Sequence, residues 1–244
     1  IIAMLSDKFP AEVIDKLPKC KVLANYAVGY NNIDIAYAKK KKITITNTPD
    51  VLTNSTAEIA VSLVLACSRN IILGEDMVRK GKFKGWAPKM LLGYELTGKT
   101  VGIIGAGRIG FETAKRLKAF GTNIIYYSRS KKQNFEQELG AKKVNLDTLM
   151  KKSDIISLHI PLTEQTKNLL SREKLELLKP SSIVVNTARG EVIDEPYLVE
   201  MLKNNRIFAA GFDVYQNEPD VNNELLKLPN AVLLPHLGSG TFEA

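Results

Sequence analysis

The feature that most constrains the fold is the segment VGIIGAGRIG, residues 101–110 of the 244-residue chain. An apolar run leads into three glycines at GxGxxG spacing, Gly105, Gly107 and Gly110. In a strand–turn–helix unit the first glycine permits the tight turn, the second lets the backbone approach a pyrophosphate, and the third allows close helix–strand packing. With residues 101–104 as strand and 108–117 as helix, the segment predicts a dinucleotide-binding loop. The alternatives are a loop for another nucleotide and a tight turn without a ligand.

The rest of the chain alternates short β-rich runs with longer amphipathic segments, which predicts an α/β fold with parallel sheets. The runs read as continuous apolar stretches, as strands covered by helices on both faces do. They lie at residues 21–24, 43–46, 100–104, 123–127, 154–158, 182–186, 209–213 and 232–234.

Residues 53–80 predict one unusually long helix that follows the sequence NTPD. Because Pro49 and Asp50 end the preceding strand, we place a domain boundary near residues 48–50. A long helix at such a junction either packs against another domain or subunit, or is a single buried core helix. The pattern leaves both interpretations open.

Composition favours an ordinary globular protein over a nucleic-acid or membrane protein. The net charge is +8, but the lysines are scattered, and the dense run at 39–42 ends a predicted helix, where cations are favourable. No zinc-finger or aromatic-rich pattern accompanies them, so we predict a solvated surface and no nucleic-acid partner. The longest apolar stretch, residues 59–67, is about half of a membrane span, so no membrane partner is expected. Cys20 and Cys67 lack CxxC spacing and indicate reduced thiols in a cytoplasmic protein without a metal site.

The strand after the glycine loop carries the signal for the type of cofactor. In NAD-binding units this strand ends in an acid that binds the ribose 2′-hydroxyl. Here residues 123–127 are followed by Ser128, Arg129 and Ser130, and then by Lys131 and Lys132. Two hydroxyls and three cations are suited to a 2′-phosphate, so we expect NADP in preference to NAD. Alternatively, Arg129 stacks over the adenine or faces solvent.

Three later strand ends bring polar groups to one edge of the predicted sheet, where open α/β sheets bind ligands. Arg189, Glu218 and His236 each follow one of these strands. Separately they have ordinary interpretations: a surface arginine, a helix-flanking acid and a capping histidine. Together they match the reduction of a 2-oxo acid. A guanidinium binds a carboxylate bidentately, a histidine donates a proton to the developing alkoxide, and an acid keeps that histidine charged and oriented.

Four motifs in this order, TVGIIGAGRIG, NTARGEVID, GFDVYQNEP and LLPHLGSGT, closely resemble the D-isomer-specific 2-hydroxyacid dehydrogenases. NYAVGYNNID and LHIPLTEQTKNLLS are similar to further motifs of that family, so the resemblance covers nearly the whole chain. LLGYELTGKT and YYSRS resemble most the glyoxylate/hydroxypyruvate reductase branch. The resemblance implies an NAD(P)H-dependent reductase of glyoxylate or hydroxypyruvate that pairs as a homodimer. Its alternatives are a relative acting on phosphoglycerate or D-lactate, and a cofactor-sensing corepressor.

The resemblance also implies roles for individual residues. Arg189 would bind the substrate carboxylate and carbonyl oxygen, His236 would donate the proton, and Glu218 would be its partner. The backbone amides of Val28 and Gly29 would bind the substrate carboxylate. The cofactor would contact Arg108 and Ile109 at its pyrophosphate, Pro161 and Thr166 at a ribose, and Thr187 and Asp213 at the nicotinamide. His159, the other histidine, competes with His236 for the acid role, but the family motif PHLGS favours His236.

The domain organisation that the resemblance implies is two Rossmann-like domains with a cleft between them. We expect a substrate domain at residues 1–48, continued by residues 235–244, and a dinucleotide-binding domain at residues 49–234. The family's substrate domain begins with a βα unit before Ile1 and is completed beyond Ala244. We therefore expect the substrate domain to be incomplete in this chain.

Overall fold

The computed structural model describes residues 1–244 and divides into two compact units. One comprises Ile1–Leu52 with Phe242–Ala244, and the other is Thr53–Thr241. The first boundary thus falls four residues later than the sequence predicts, and the second falls seven residues later. The second difference arises because the backbone of Leu237 and Gly238 is hydrogen-bonded to Asp213, which ties residues 235–241 to the larger unit.

The smaller unit is a three-stranded parallel sheet with two short helices. Its strands are β1 (Ile2–Ala3), β2 (Val22–Asn25) and β3 (Thr44–Thr46), in that spatial order. Its helices are α1 (Ala11–Ile14) and α2 (Ile35–Lys40), and the Asp34 carboxylate caps α2 by accepting the N–H of Tyr37. The core of this unit is formed by apolar residues of the strands, helices and loops: Ala3, Phe9, Ile14, Leu23, Ile33, Ala38 and Ile43.

The larger unit contains a seven-stranded, wholly parallel sheet in the order β10-β9-β8-β7-β4-β5-β6. The strands are β4 (Thr100–Ile104), β5 (Asn123–Tyr127), β6 (Lys142–Lys143), β7 (Ile155–Leu158), β8 (Ile183–Asn186), β9 (Ala209–Phe212) and β10 (Ala231–Leu233). The strand order reverses between β4 and β7, which is the point where doubly wound sheets bind ligands. This confirms the predicted α/β class.

Seven helices accompany this sheet. They are α3 (Thr53–Ser68), α4 (Ile71–Arg79), α5 (Arg108–Ala119), α6 (Gln133–Leu139), α7 (Leu146–Lys152), α8 (Arg172–Leu175) and α9 (Glu195–Lys203). Alternate strand residues enter two separate cores: Val101 and Ile103 pack with α3 and α5, whereas Ile104 packs with α7 and α9. Burial on both faces explains why the strands are continuous apolar runs.

The prediction of one long helix over residues 53–80 is wrong. The segment forms α3 and α4, which meet at an angle of 68°. The break lies at Asn70, whose φ of 51° is left-handed, a conformation that asparagine tolerates better than most residues. The Asn70 side chain donates hydrogen bonds to the carbonyls of Leu91 and Leu92, which secures the bend.

None of the helices taken singly has the length and apolar character to cross a membrane. The bent pair α3 and α4 meets those criteria only when the two helices are counted together.

Candidate active site

The glycine loop between β4 and α5 has the geometry of a phosphate-binding turn. Gly105 has a φ of 102°, and a Cβ there would collide with the carbonyl of His159. A Cβ at Gly110 would collide with the carbonyl of Gly105, so both positions require glycine. A Cβ at Gly107 would meet no atom within 4 Å, although no side chain caps α5 there. The open space beside an uncapped helix N-terminus fits a pyrophosphate, and α5 begins with Arg108 and Ile109.

The loop after β5 carries the residues predicted to select the cofactor. Ser128 donates a hydrogen bond of 2.5 Å to the carbonyl of Ser130, and Arg129 and Ser130 are exposed. Lys143 of β6 donates to the carbonyl of Arg129 at 3.2 Å, which adds a cation beside the loop. The salt bridges of the molecule involve none of the five basic residues here, Arg129, Lys131, Lys132, Lys142 and Lys143.

The segment after β7 is folded back on itself around Thr166. The Thr166 hydroxyl donates to the carbonyl of Pro161 at 2.6 Å and accepts the N–H of Thr163 at 2.8 Å. This holds Pro161 and Thr166 together at the carboxyl end of β7, next to the strand that leads into the glycine loop. Their predicted position at a cofactor ribose stays a prediction.

Two buried polar atoms at the ends of β7 and β8 have no hydrogen-bond partner, Nδ1 of His159 and Oγ1 of Thr187. Buried polar groups are nearly always paired, so an unpaired hydroxyl at the ligand edge of the sheet fits a contact with a bound cofactor. The Thr187 hydroxyl can both donate and accept, as a contact with the carboxamide of a nicotinamide requires, and that predicted contact stays a prediction.

Arg189 stands on a tight turn after β8. Asn186, the last residue of that strand, accepts the N–H of Ala188 at 3.0 Å and donates to the carbonyl of Arg189 at 2.8 Å. A Cβ at Gly190 would collide with the backbone of Tyr215, so this turn lies directly against the loop that follows β9. Burial lowers the pKa of the Arg189 guanidinium, and the charge of Glu218 opposes that shift. An arginine nevertheless stays protonated in proteins, so a cation is held beside Glu218.

His236 and Glu218 form a hydrogen-bonded pair. Nδ1 of His236 lies 2.8 Å from Oε2 of Glu218, and the N–H of Tyr215 donates to the other carboxylate oxygen at 3.0 Å. Burial acts to raise the pKa of Glu218, but the hydrogen bonds from His236 and Tyr215 and the charge of Arg189 outweigh it, so the pKa lies below its usual value. The carboxylate is therefore charged at neutral pH. It binds one ring nitrogen and leaves Nε2 for a substrate.

Asp213 holds the loop that carries His236. It is 1% exposed, and its two carboxylate oxygens accept the N–H groups of Leu237 at 2.6 Å and of Gly238 at 2.8 Å. Burial raises the pKa of Asp213, against the effect of these two hydrogen bonds and of the charge of His236. The contact of Asp213 with the nicotinamide stays a prediction. The hydrogen bonds of Asp213 to the backbone of Leu237 and Gly238 were not predicted.

His159 lies in surroundings that do not suit a proton donor. Its Nε2 is 2.9 Å from the hydroxyl of Ser157, its Nδ1 is buried, and burial lowers the pKa of the ring to about 3. At neutral pH this imidazole is uncharged and has no extra proton to deliver. Between the two histidines, the geometry therefore favours His236.

Within the smaller unit, the backbone of Val28 and Gly29 is held through its carbonyl groups. The Asn47 amide donates to the carbonyl of Val28 at 2.9 Å, and the Asn25 amide donates to that of Gly29 at 2.7 Å. The N–H groups of Val28 and Gly29 make no hydrogen bond to the protein. Two backbone donors are thus available, as the predicted binding of a carboxylate requires.

With this geometry established, comparison with known proteins identifies the family. The sequence profile of the D-isomer specific 2-hydroxyacid dehydrogenase, NAD binding domain, matches residues 61–238. The chain belongs to this family. The profile supports the use of a nicotinamide dinucleotide at the glycine loop.

Individual relatives resemble this dehydrogenase over its whole length. It is 50% identical to a glyoxylate reductase of Thermococcus litoralis, in a match that covers all of this chain and 75% of that protein. It is 48% identical to a glyoxylate reductase of Pyrococcus furiosus, in a match that covers all of this chain and 74% of that protein. A solved structure of an NADPH-dependent glyoxylate/hydroxypyruvate reductase from Sinorhizobium meliloti, in complex with NADP and malonate, superposes with a TM-score of 0.92. It is 36% identical, and the match covers all of this chain and 75% of that one.

Sequence reasoning missed several residues that shape the site in this dehydrogenase. Asn25 and Asn186 are buried at the last positions of β2 and β8, and each orders the turn that follows. A signal existed for both, because a polar residue that ends an apolar strand is where a turn needs side-chain hydrogen bonds. Thr56 donates a hydrogen bond to the carbonyl of Gly238, and Lys143 donates one to the carbonyl of Arg129. Both contacts join residues that are separated along the chain, so the sequence offers no local signal for them.

Proposed function

We propose that the protein catalyses NAD(P)H-dependent reduction of glyoxylate or hydroxypyruvate to the corresponding D-2-hydroxy acid. The observation that carries the proposal is the 2.8 Å pair of His236 and Glu218, together with Arg189 at the same edge of the sheet. The names of the relatives from Thermococcus litoralis and Pyrococcus furiosus support glyoxylate as the substrate.

The chemistry follows from the charges that these residues hold. The bound nicotinamide supplies the hydride. Arg189 binds the substrate carboxylate bidentately and polarises the neighbouring carbonyl. As negative charge develops on the carbonyl oxygen, Nε2 of His236 delivers a proton to it, while the Glu218 carboxylate stabilises the imidazolium from the opposite side of the ring. The carbonyl group thereby becomes the hydroxyl group of the D-2-hydroxy acid, and His236 recovers a proton from the solvent.

The proposal extends to Val28 and Gly29 as donors to the substrate carboxylate. Their support is the backbone of the smaller unit, where Asn25 and Asn47 secure the two carbonyls and leave the N–H groups available. Backbone donors of this kind bind a carboxylate without adding a second charged side chain.

We further propose that NADPH is preferred to NADH. The support is the loop after β5, where Ser128 and Arg129 replace the acid that binds the 2′-hydroxyl of NAD, and where Lys143 lies against the same loop. A 2′-phosphate carries charge that these cations would neutralise. The phosphate would displace the contact between Ser128 and Ser130.

We also propose that the enzyme is a cytoplasmic homodimer. None of the residues of α4 is buried, and Ile71, Ile72 and Val78 are 50%, 51% and 63% exposed. Trp86 is 80% exposed in the segment that follows, so a second copy of the chain would cover a substantial apolar surface. The free thiols Cys20 and Cys67 support a reducing compartment. Light scattering at micromolar concentration tests the dimer, and a monomer would contradict it.

The experiment that tests the function is a panel of 2-oxo acids assayed with NADPH and NADH. Glyoxylate, hydroxypyruvate, phosphohydroxypyruvate and pyruvate are compared by loss of nicotinamide absorbance. We expect the highest kcat/KM with glyoxylate or hydroxypyruvate. A higher value with phosphohydroxypyruvate or pyruvate would assign a different substrate, and cofactor binding without turnover would indicate a cofactor-sensing protein.

A further inference from the structure

His236 has a backbone conformation that its neighbours must impose. Its φ of 57° is left-handed, which is disfavoured for residues other than glycine, asparagine and aspartate. Such a conformation persists where the surrounding structure determines it. The peptide groups that follow His236 are therefore part of what aims its imidazole at Glu218.

These peptide groups are held at three points. Asp213 accepts the N–H groups of Leu237 and Gly238, as described above. The third contact comes from α3, where the hydroxyl of Thr56 donates to the carbonyl of Gly238 at 3.0 Å. The Thr56 side chain is buried, with 5% of the residue exposed, so this hydrogen bond is shielded from water.

Thr56 reaches this loop because α3 packs closely against β9. A Cβ at Gly211 of β9 would be 3.0 Å from Cβ of Leu63, so glycine at that position lets the helix approach. At Gly238 a Cβ would lie 3.2 Å from the Thr56 hydroxyl and 3.3 Å from its methyl group. Both branches of the threonine thus pack against one glycine, 182 residues away along the chain.

We propose that Thr56 is a positioning residue for His236, acting through the carbonyl of Gly238. The inference rests on the proposed role of His236 as the proton donor. Asp213 fixes the N–H side of the 237–238 backbone, and Thr56 fixes its carbonyl side. With both contacts made, the loop has one arrangement, and Nδ1 of His236 stays on Glu218. With the Thr56 contact removed, the loop can rotate and the imidazole leaves its position for part of the time.

The kinetic test compares Thr56→Val, which keeps the shape and loses the hydroxyl, with Thr56→Ser, which keeps the hydroxyl. We expect Thr56→Val to lower kcat about tenfold, a fraction of what a general acid contributes. KM and the Kd for NADPH should change less than twofold, because neither ligand touches Thr56 in the proposed mechanism. Thr56→Ser should stay within about twofold of the unchanged protein in kcat. If the valine variant folds poorly, Thr56→Ala takes its place in the comparison.

A spectroscopic test reads the position of His236 without turnover. The chain has two histidines, so its imidazole nitrogens are resolved in long-range ¹H–¹⁵N spectra and assigned with a His159→Gln variant. We expect Thr56→Val to move the Nδ1 signal of His236 and leave the signals of His159 in place. The matched control is Ser68→Ala, which removes another buried hydroxyl from α3 far from this loop and should leave His236 unchanged.

Two results would overturn the inference. One is an unchanged His236 signal and unchanged kcat in the valine variant. The other is loss of kcat in the serine and valine variants alike, in proportion to their loss of thermal stability. Failure of the proposed function looks different, because the unchanged protein would then reduce no 2-oxo acid while the effect of Thr56 on the His236 signal would still be measurable.

Discussion

Lowering the pH should destabilise the protein through His159, and the size of the effect can be worked out from the structure. Burial lowers the pKa of this ring from 6.5 to about 3 in the folded protein. Between those values the unfolded chain binds a proton that the native protein does not, so stability must fall as the pH falls. At 1.36 kcal/mol per pH unit, going from pH 7 to pH 5 costs about 2 kcal/mol. The figure holds for any native pKa well below 5.

The assay is urea denaturation of the unchanged protein and of His159→Gln at pH 7 and pH 5. Glutamine does not titrate and can still bond to Ser157, so the variant should lose the part of the pH dependence that belongs to this ring. We expect the difference in unfolding free energy between the two pH values to be smaller in the variant by about 2 kcal/mol. Carboxylates that titrate near pH 5 are present in both proteins and cancel.

A second variant, His236→Gln, serves as the control. It retains His159 and should therefore retain the part of the pH dependence of the unfolding free energy that belongs to this ring. Equal pH dependence of the unchanged protein and His159→Gln, within about 0.5 kcal/mol, would refute the reasoning. It would mean that the ring is hydrated or charged in the folded protein. His159 would then again be a candidate for the proton donor, and its variant would be expected to lose turnover.

Three further predictions concern the site itself. Arg189→Lys should lower kcat/KM for glyoxylate by about a hundredfold or more, because lysine keeps the charge but loses the bidentate geometry. A kcat/KM close to that of the unchanged protein would exclude the carboxylate-binding role. Ser128→Asp should reduce the ratio of kcat/KM for NADPH to kcat/KM for NADH at least about tenfold, because the new carboxylate repels a 2′-phosphate. An unchanged ratio would show that this loop does not bind the phosphate. Glu218→Gln should lower kcat at least about tenfold and leave the Kd for NADPH unchanged, because a neutral amide replaces the carboxylate that lies 2.8 Å from Nδ1 of His236. The lowered pKa of Glu218 keeps that carboxylate charged at neutral pH in the unchanged protein. An unchanged kcat would contradict this pairing.

Most of the parallel sheet was predictable because its strands are buried on both faces and therefore read as unbroken apolar runs. The predicted bounds of β4 and β5 agree with the structure. Those of β3, β7, β8 and β9 differ by one residue at one end, and those of β2 and β10 are shifted by one residue along the chain. The strands β1 and β6 were missed, because each has two residues and β6 consists of Lys142 and Lys143. Two residues offer no periodicity, and lysines are uncommon in strands.

The break between α3 and α4 was not predicted, because the apolar pattern continues through it. The bend depends on contacts of Asn70 with Leu91 and Leu92, about twenty residues further along the chain. The proximity of His236 and Glu218 was predictable, since both follow strands of one parallel sheet. The left-handed backbone of His236 and its support by Thr56 were not, because they depend on how closely α3 approaches the sheet.

Single-turnover reduction in the unchanged protein and in His236→Ala tests the central claim most directly. Each protein is loaded with NADPH, its Kd is measured, and it is mixed with glyoxylate while the nicotinamide absorbance is followed. The account predicts that the unchanged protein consumes its bound NADPH and forms an equal amount of glycolate. His236→Ala should bind NADPH with the same Kd and react at least about a hundredfold more slowly. Failure of the unchanged protein to oxidise NADPH with either glyoxylate or hydroxypyruvate, or an undiminished rate in His236→Ala, would contradict it.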